Sequence, residues 1–455
     1  MTELTAVNPA TGKVLANYPR MDAAGVEAAL QGAVDARTAW ALKPAHERAA
    51  LLRQLAAVLR GRQEELAVTA TREMGKRRVE ALAELEKCAV ACEYYAEHGP
   101  GFLLDVPVAT EAARSYVAWQ PLGTVLLVMP WNFPYWQAFR QAIPATLAGN
   151  TVLLKHASNV PGCAQALEEV FRAAGFPEGV FHNLPVGSDA VEDLIADPRV
   201  QGVSLTGSER AGRAVGAAAG KALKTSVLEL GGSDAFIVLH DADLDTVVRE
   251  ALRGRFQNNG ETCIAAKRFI VEDSIAEAFA DRLSRAVTDL CTGDPMEDGT
   301  DLGPLARGDL RDELHDQVQR SVAAGAVCRT GGEPLEGEGF YYAPTVLDYV
   351  EPGMAAFDEE TFGPVAAITR AADAAAAVEL ANRSRFGLGG SVWTADRARG
   401  EAMARQLECG CAFVNAVVKS DPRLPFGGVK DSGYGRELAD LGIREFVNAK
   451  TIWVA

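Results

Sequence analysis

A thiolate is the strongest nucleophile an unmodified side chain offers near neutral pH, and Cys263 stands in a setting that suits one. It ends the polar run Phe256-Gln257-Asn258-Asn259-Gly260-Glu261-Thr262-Cys263 and is followed by Ile264-Ala265-Ala266. Free cysteine, with a pKa of ~8.5, is only slightly ionised at neutrality, so a nucleophilic role needs help. We read the segment as a loop ahead of a helix, whose unpaired N–H groups would favour the thiolate. By itself such a cysteine is more often a small buried hydrophobe. A second group is Glu229, in Leu228-Glu229-Leu230-Gly231-Gly232-Ser233. A carboxyl closing an apolar run is desolvated by its neighbours, which raises its pKa and fits it for general-base work. The plainer reading is a glutamate satisfied by the backbone donors of the Gly-Gly turn. A third is Asn132, in Pro130-Trp131-Asn132-Phe133-Pro134. Its amide can donate to a developing oxyanion without adding a titrating group, although the segment also reads as a stiff turn. Finally, Gly207-Ser208-Glu209-Arg210-Ala211-Gly212 opens a helix after a strand. That is where a backbone can approach a pyrophosphate, although the spacing is not the common G-x-G-x-x-G fingerprint. Lys155 ends another apolar run, where it can meet a ribose or phosphate.

The elements that must hold these groups follow from hydrophobic periodicity. The first hundred residues read as helical. Asp22 caps a helix carrying Val26, Leu30 and Val34, and Pro44 opens one striped by Leu51, Leu52, Leu55, Val58 and Leu59. A third runs from Arg78 to Ala96 and stops at Gly99-Pro100. Arg114–Trp119 alternates as a half-exposed strand ended by Pro121. From there, short apolar runs (Thr124–Met129, Thr151–Leu154, Val203–Leu205, Val227–Leu230, Ala235–Leu239) alternate with helical stretches such as Gly162–Ala174 and Glu209–Ala219. A second series runs from Arg268 to Phe413-Val414-Asn415, and the alanine-rich Ala371–Val378 reads as a helix. Strand and helix in alternation predict an α/β fold with largely parallel sheets. Asn132 then follows a strand, in the loops that face a ligand crevice.

The bulk numbers narrow the function classes. The chain has 455 residues, enough for large cores, and a net charge of −16 that disfavours nucleic acid or anionic lipid as partners. No basic and apolar leader opens it, and its apolar runs fall short of a membrane span. We therefore expect a cytoplasmic enzyme without membrane partners. Eight cysteines are too few for a disulfide scaffold, and Cys88/Cys92 and Cys409/Cys411 lack zinc-site companions, so no metal is expected.

Taken together and in order, these segments resemble the aldehyde dehydrogenase superfamily over essentially the whole chain. The likeness extends to Glu359-Glu360-Thr361-Phe362-Gly363-Pro364 and Pro425-Phe426-Gly427-Gly428-Val429-Lys430-Asp431-Ser432-Gly433. The resemblance implies that Cys263 attacks an aldehyde, that Asn132 and the Cys263 N–H hold the oxyanion, and that hydride leaves to a nicotinamide. Water activated by Glu229 then hydrolyses the thioester. It also implies a cofactor site of Trp131, Lys155, Ser158, Gly207, Ser208, Gly212, Glu360 and Phe362. Many NAD-specific relatives carry a glutamate where Ser158 stands, so NADP is expected to be accepted and preferred, with NAD as the alternative. Within the superfamily the chain is most similar to bacterial succinate-semialdehyde dehydrogenases, with Trp136, Arg140, Ser420 and Phe426 as substrate residues. Arg140 would supply the cation for the substrate carboxylate, unless it is a structural ion pair. The implied architecture is a Rossmann-like cofactor-binding domain (1–111 and 121–228), an α/β catalytic domain (229–420) and oligomerisation strands (112–120 and 436–455). The flap would pair the strand around Arg114–Trp119 with Lys450–Val454 and build a homodimer or homotetramer. Alternatives are a broad-range or other small-semialdehyde dehydrogenase and, from another class, a non-catalytic structural or binding protein on this fold.

Overall fold

The computed structural model describes residues 3–455. Two sheets dominate it. One runs in the order Gly433–Tyr434, Thr225–Glu229, Val200–Thr206, Thr124–Met129, Thr151–His156, Phe181–Asn183 and is parallel except at its first strand. The other runs Val327–Thr330, Thr345–Asp348, Val365–Ala371, Ala266–Glu272, Asp234–Val238, Gly389–Trp393, Cys411–Val414, again with only the first strand antiparallel. The central strands are buried on both faces, as with Val125, Leu126, Leu127, Val152, Leu153 and Leu154. Such strands read as continuous apolar runs because helices cover both faces of a parallel sheet.

Two features of the topology position the chemistry. In the first sheet the chain leaves Thr124–Met129 toward one edge, then crosses back to Val200–Thr206 on its other side. The turns after these two strands, with Trp131-Asn132 and Gly207-Ser208, therefore flank the switch point where α/β sheets bind ligands. Glu229 ends the last parallel strand of that sheet and Asp234 opens the first strand of the other. Leu230–Ser233 thus bridges the two sheets, and Cys263 lies just ahead of the neighbouring strand Ala266–Glu272.

Several expectations change. The chain begins with a hairpin, Glu3–Asn8 against Lys13–Pro19, where only helices were expected. Leu4 and Ala6 point inward at strand spacing, and Gly12 takes φ +69° in the turn. The helix from Arg78 continues to Phe102, through Pro100. Proline removes a backbone donor there, and the carbonyl of Ala96 accepts instead from Arg53 at 3.1 Å. Ala371–Val378 divides: Ala371 ends a strand, and Asp373 caps the helix Ala374–Asn382 through Ala376 N–H. Cys263 precedes no helix; its turn feeds a strand whose residues are all buried.

A third sheet joins Val447–Val454, Arg114–Pro121 and Val106–Pro107, with Lys450 opposite Ala118 and Val454 opposite Arg114. Within 436–455 the strand begins only at Val447, because Ala439–Arg444 forms a helix packed on the helix Trp136–Ala148. No helix among the described residues is long and apolar enough to cross a membrane.

Candidate active site

The turn that delivers Cys263 is built from backbone conformations few residues tolerate. Asn258, Asn259 and Gly260 take φ of +54°, +57° and +74° in succession. Asparagine and glycine are the residues that enter this left-handed region most readily. A side chain at Gly260 would meet the Gly363 carbonyl at 2.5 Å. Asn259 is tied at both ends, donating to the carbonyls of Gly75 and Pro304 at 3.0 and 2.9 Å and accepting from Gly303 N–H at 2.8 Å. Asn258 donates to the carbonyls of Asn132 and Glu261, each at 3.0 Å. The Asn132 amide donates to the same Glu261 carbonyl at 3.1 Å. Asn132 is therefore held two residues from Cys263, with one of its two N–H bonds still available. The buried Lys267 amine clamps the turn, donating to the carbonyls of Thr262 and Cys263 at 3.0 and 2.7 Å and to Glu360 at 3.0 Å.

Cys263 borders two cavities, of about 530 and 490 Å³. Burial pushes its thiol well above the usual range, and the negative charge of Glu229 adds to this. With no helix behind it, the expected dipole assistance is absent. Glu229, almost wholly buried, is the carboxyl beside it. Burial raises its carboxyl to about 7, against the pull of Arg140 and with a further push from Glu437. Arg140 donates to Glu229 at 3.1 Å and ion-pairs with Glu437, which also accepts from Gln141 at 2.6 Å. The other Glu229 oxygen has no partner. Gly231 and Gly232 are glycines because the chain is crowded there. An added Cβ would meet Glu360 at 2.3 Å or the Cys263 carbonyl at 2.8 Å.

The larger cavity collects Trp131, Gly207, Ser208, Glu360 and Phe362, with Glu229 and Cys263 at one side. Trp131 and Phe362 meet edge to face at 5.7 Å between ring centres. Glu360 is held by Lys267 and by the Gly232 N–H at 3.0 Å. Ser208 caps the helix Glu209–Lys221, its hydroxyl accepting from Ala211 N–H at 3.4 Å. Gly207 is open, with nothing nearer than 3.8 Å to where its Cβ would be. An open glycine beside a helix N-terminus is a cradle for a pyrophosphate, so the residues here fit a nicotinamide dinucleotide. Gly212 serves the packing instead: its missing Cβ leaves room for Leu230, which would otherwise be met at 2.5 Å. Lys155 and Ser158 lie outside this cavity's lining. Lys155 is buried, makes no ion pair among the described residues, and is pushed below the usual lysine range mainly by burial. Ser158 is exposed.

The smaller cavity brings Trp136, Arg140, Ser420 and Phe426 together with Cys263. The Arg140 guanidinium stacks over Phe426 at 4.8 Å, but its charge is shared between Glu229 and Glu437. The sequence reading missed Lys87, whose amine sits 4.2 Å from the centre of the Trp136 ring and donates to Ser420 at 2.7 Å. It also missed Lys267 and gave Glu437 no role. A lysine on a long helix carries no local signal that it faces a cavity. Glu437 has a slightly better one, since it follows directly on the glycine-rich motif around Phe426.

The comparisons agree with this geometry. The aldehyde dehydrogenase family matches residues 1–452. Succinate semialdehyde dehydrogenase [NAD(P)+] Sad of Escherichia coli (strain K12) is 51% identical over 452 residues, covering 99% of this chain and 98% of that protein. Succinate-semialdehyde dehydrogenase [NADP(+)] of Mycobacterium avium (strain 104) is 48% identical over 458 residues, covering 99% of this chain and 96% of its own. Among solved structures, succinic semialdehyde dehydrogenase from Streptococcus pyogenes, in complex with NADP+, superposes with a TM-score of 0.97 at 38% identity, covering 99% of both chains. With a cysteine, a buried carboxyl and a tethered asparagine gathered between a dinucleotide cradle and a second cavity, and with relatives matched nearly end to end, the chain belongs to the aldehyde dehydrogenase family.

Proposed function

We propose that this protein oxidises succinate semialdehyde to succinate, with NADP as the preferred acceptor and NAD accepted. The observation that carries the chemistry is Cys263 at the meeting of two cavities, beside Glu229 and the Asn132 amide. The substrate is supported by the names of the two curated relatives, each matched over 99% of this chain.

Glu229, poised near 7, takes the Cys263 proton, and the thiolate attacks the aldehyde carbon. The free Asn132 N–H and the Cys263 backbone N–H hold the resulting oxyanion. Bound NAD(P) supplies a hydride acceptor in the larger cavity. Glu229 gives that first proton up to solvent, and the thioester left on Cys263 is then attacked by water, whose proton passes to Glu229 and on to the departing Cys263 sulfur, releasing the acid and the thiol. Trp131, Gly207, Ser208, Glu360 and Phe362 orient the dinucleotide. Lys155, desolvated and without an acidic partner, and Ser158, which brings no negative charge, favour a 2′-phosphate on its ribose.

We further propose a cytoplasmic homo-oligomer, dimer or tetramer. All eight cysteines are free, and the sheet of Val106–Pro107, Arg114–Pro121 and Val447–Val454 leaves Val106, Trp453 and Val454 exposed. The test is a panel of succinate semialdehyde, glutarate semialdehyde and uncharged aldehydes with NAD and NADP, followed by reduced-nicotinamide absorbance. The reading fails if succinate semialdehyde is not among the best substrates, or if Cys263→Ala still turns over.

A further inference from the structure

Oxyanion chemistry at Cys263 needs two loops at a fixed separation, the one that carries Asn132 and the turn that carries the cysteine. Both rest on a segment the mechanism has not used, Gly75-Lys76, between the helices Gln63–Met74 and Arg78–Phe102. Gly75 takes φ +84°, and its carbonyl accepts from Asn259 of the cysteine turn at 3.0 Å. The next residue reaches the other loop. The Lys76 side chain is wholly buried, donates to Glu84, and lies 4.0 Å from the centre of the Phe133 ring, next to Asn132. Glu84 is equally buried, and its second oxygen accepts from the N–H groups of Tyr135 and Trp136, each at 2.8 Å. It thereby satisfies the first turn of the helix Trp136–Ala148, whose own N-cap residue supplies no side-chain bond.

We propose that the Lys76–Glu84 pair is a positioning pair that holds the Asn132 amide where the oxyanion forms. This role rests on the oxyanion reading of Asn132 above. Stability by itself does not account for a buried ion pair, because desolvation of the two charges offsets much of their attraction. What the pair supplies is direction. An ammonium over the face of Phe133 fixes that ring, and a carboxylate that takes two successive N–H groups fixes the backbone at Tyr135 and Trp136. The chain on the C-terminal side of Asn132 is then held at two points, while the Asn132 amide and carbonyl are tied to the cysteine turn.

A second acid also faces Lys76. Glu261, in the cysteine turn, is pushed well above the usual carboxylate range by burial, against the pull of Lys76 and Arg307. It keeps its proton, accepts from Ala306 N–H at 3.0 Å, and leaves Glu84 as the charged partner of Lys76. The ammonium therefore stands between the two catalytic loops without being drawn off either of them.

The experiment measures single-turnover hydride transfer to NADP, with the best aldehyde of the panel above. It compares the wild type, Asn132→Ala, the paired variant Lys76→Met with Glu84→Gln, and all three substitutions together. The paired change orphans no charge, and the amide oxygen it brings to position 84 can still accept from Tyr135 and Trp136. Each protein is also followed by a urea melt and an NADP titration. A reacting group displaced by about 1 Å costs roughly 10²-fold, so the paired variant is expected to lose roughly 10–100-fold in transfer rate, with NADP affinity close to wild type. On the Asn132→Ala background the same change is expected to cost less than about twofold, because the group it positions is gone. Lys76→Gln, which keeps a donor for Glu84 but removes the ammonium from the ring, should show the same coupling at smaller amplitude, and serves if the paired variant does not fold. A slow Asn132→Ala with wild-type transfer in the Lys76 variants overturns the positioning role alone. So does a loss that repeats in full on Asn132→Ala, since the pair would then act elsewhere. A wild-type rate in Asn132→Ala overturns the oxyanion reading and this proposal with it.

Discussion

Asn132→Ala separates the oxyanion role of that amide from a merely structural one. The side chain has two N–H bonds. One is occupied by the Glu261 carbonyl at 3.1 Å, and the other is the proposed oxyanion donor. Truncation removes both, but the Glu261 carbonyl keeps a second donor in Asn258 at 3.0 Å, so no buried acceptor is orphaned. The folding cost should then be about 1 kcal/mol, one ordinary hydrogen bond. Loss of one of two oxyanion donors costs far more in the transition state, about 2.7–4 kcal/mol, or roughly 10²–10³ in kcat. The assay is single-turnover stopped flow with NADP, accompanied by an NADP titration, a urea melt and the rate of Cys263 alkylation. Expected are the large fall in kcat, near-unchanged cofactor affinity and alkylation at close to the wild-type rate. A kcat within about fivefold of wild type would refute the role. So would a matching fall in alkylation, because the asparagine would then only be shaping the turn.

Three further outcomes follow from the buried charges and the cofactor edge. Arg140→Met leaves Glu229 and Glu437 buried without their cation and should cost about 3–5 kcal/mol in a urea melt; a melt unchanged from wild type would mean the ion pairs contribute nothing. Glu229, raised to about 7, should give kcat/KM an acid limb that rises through about pH 7, and Glu229→Gln should abolish that limb and slow Cys263 alkylation along with turnover; alkylation at the wild-type rate would remove Glu229 as the base for the thiol. The same shift fixes a stability sign: the folded carboxyl keeps a proton that the unfolded one loses, so this group's contribution to stability falls as pH rises from 4.5 to about 7, and Glu229→Gln should remove that slope. Ser158→Glu should weaken NADP roughly tenfold or more relative to NAD by setting a carboxylate against the 2′-phosphate, and an unaltered NADP-to-NAD ratio would remove Ser158 from the cofactor site.

Local sequence determined the elements and the reactive groups on them. The apolar runs Thr124–Met129 and Thr225–Glu229 become strands because continuous burial on both faces suits a parallel sheet, and that pattern is written residue by residue. Cys263, Glu229 and Asn132 stood out as candidates because each lies in a short polar or glycine-rich segment beside such a run, but only the resemblance to a family gave them roles. Burial and the charges packed around them decided how those groups behave. The Cys263 thiol was expected to gain from a following helix; instead its turn enters the strand Ala266–Glu272, and the thiol is raised rather than lowered. Arg140 was expected to face the substrate, yet its charge is taken by Glu229 and by Glu437, nearly three hundred residues further on. Lys87 was not seen at all, since a lysine on a helix declares nothing about the cavity it lines. Periodicity is a property of neighbours in the chain and can be read there. Charge pairing and desolvation are properties of neighbours in space, and only the packing of the two sheets and the helices around them creates those neighbours.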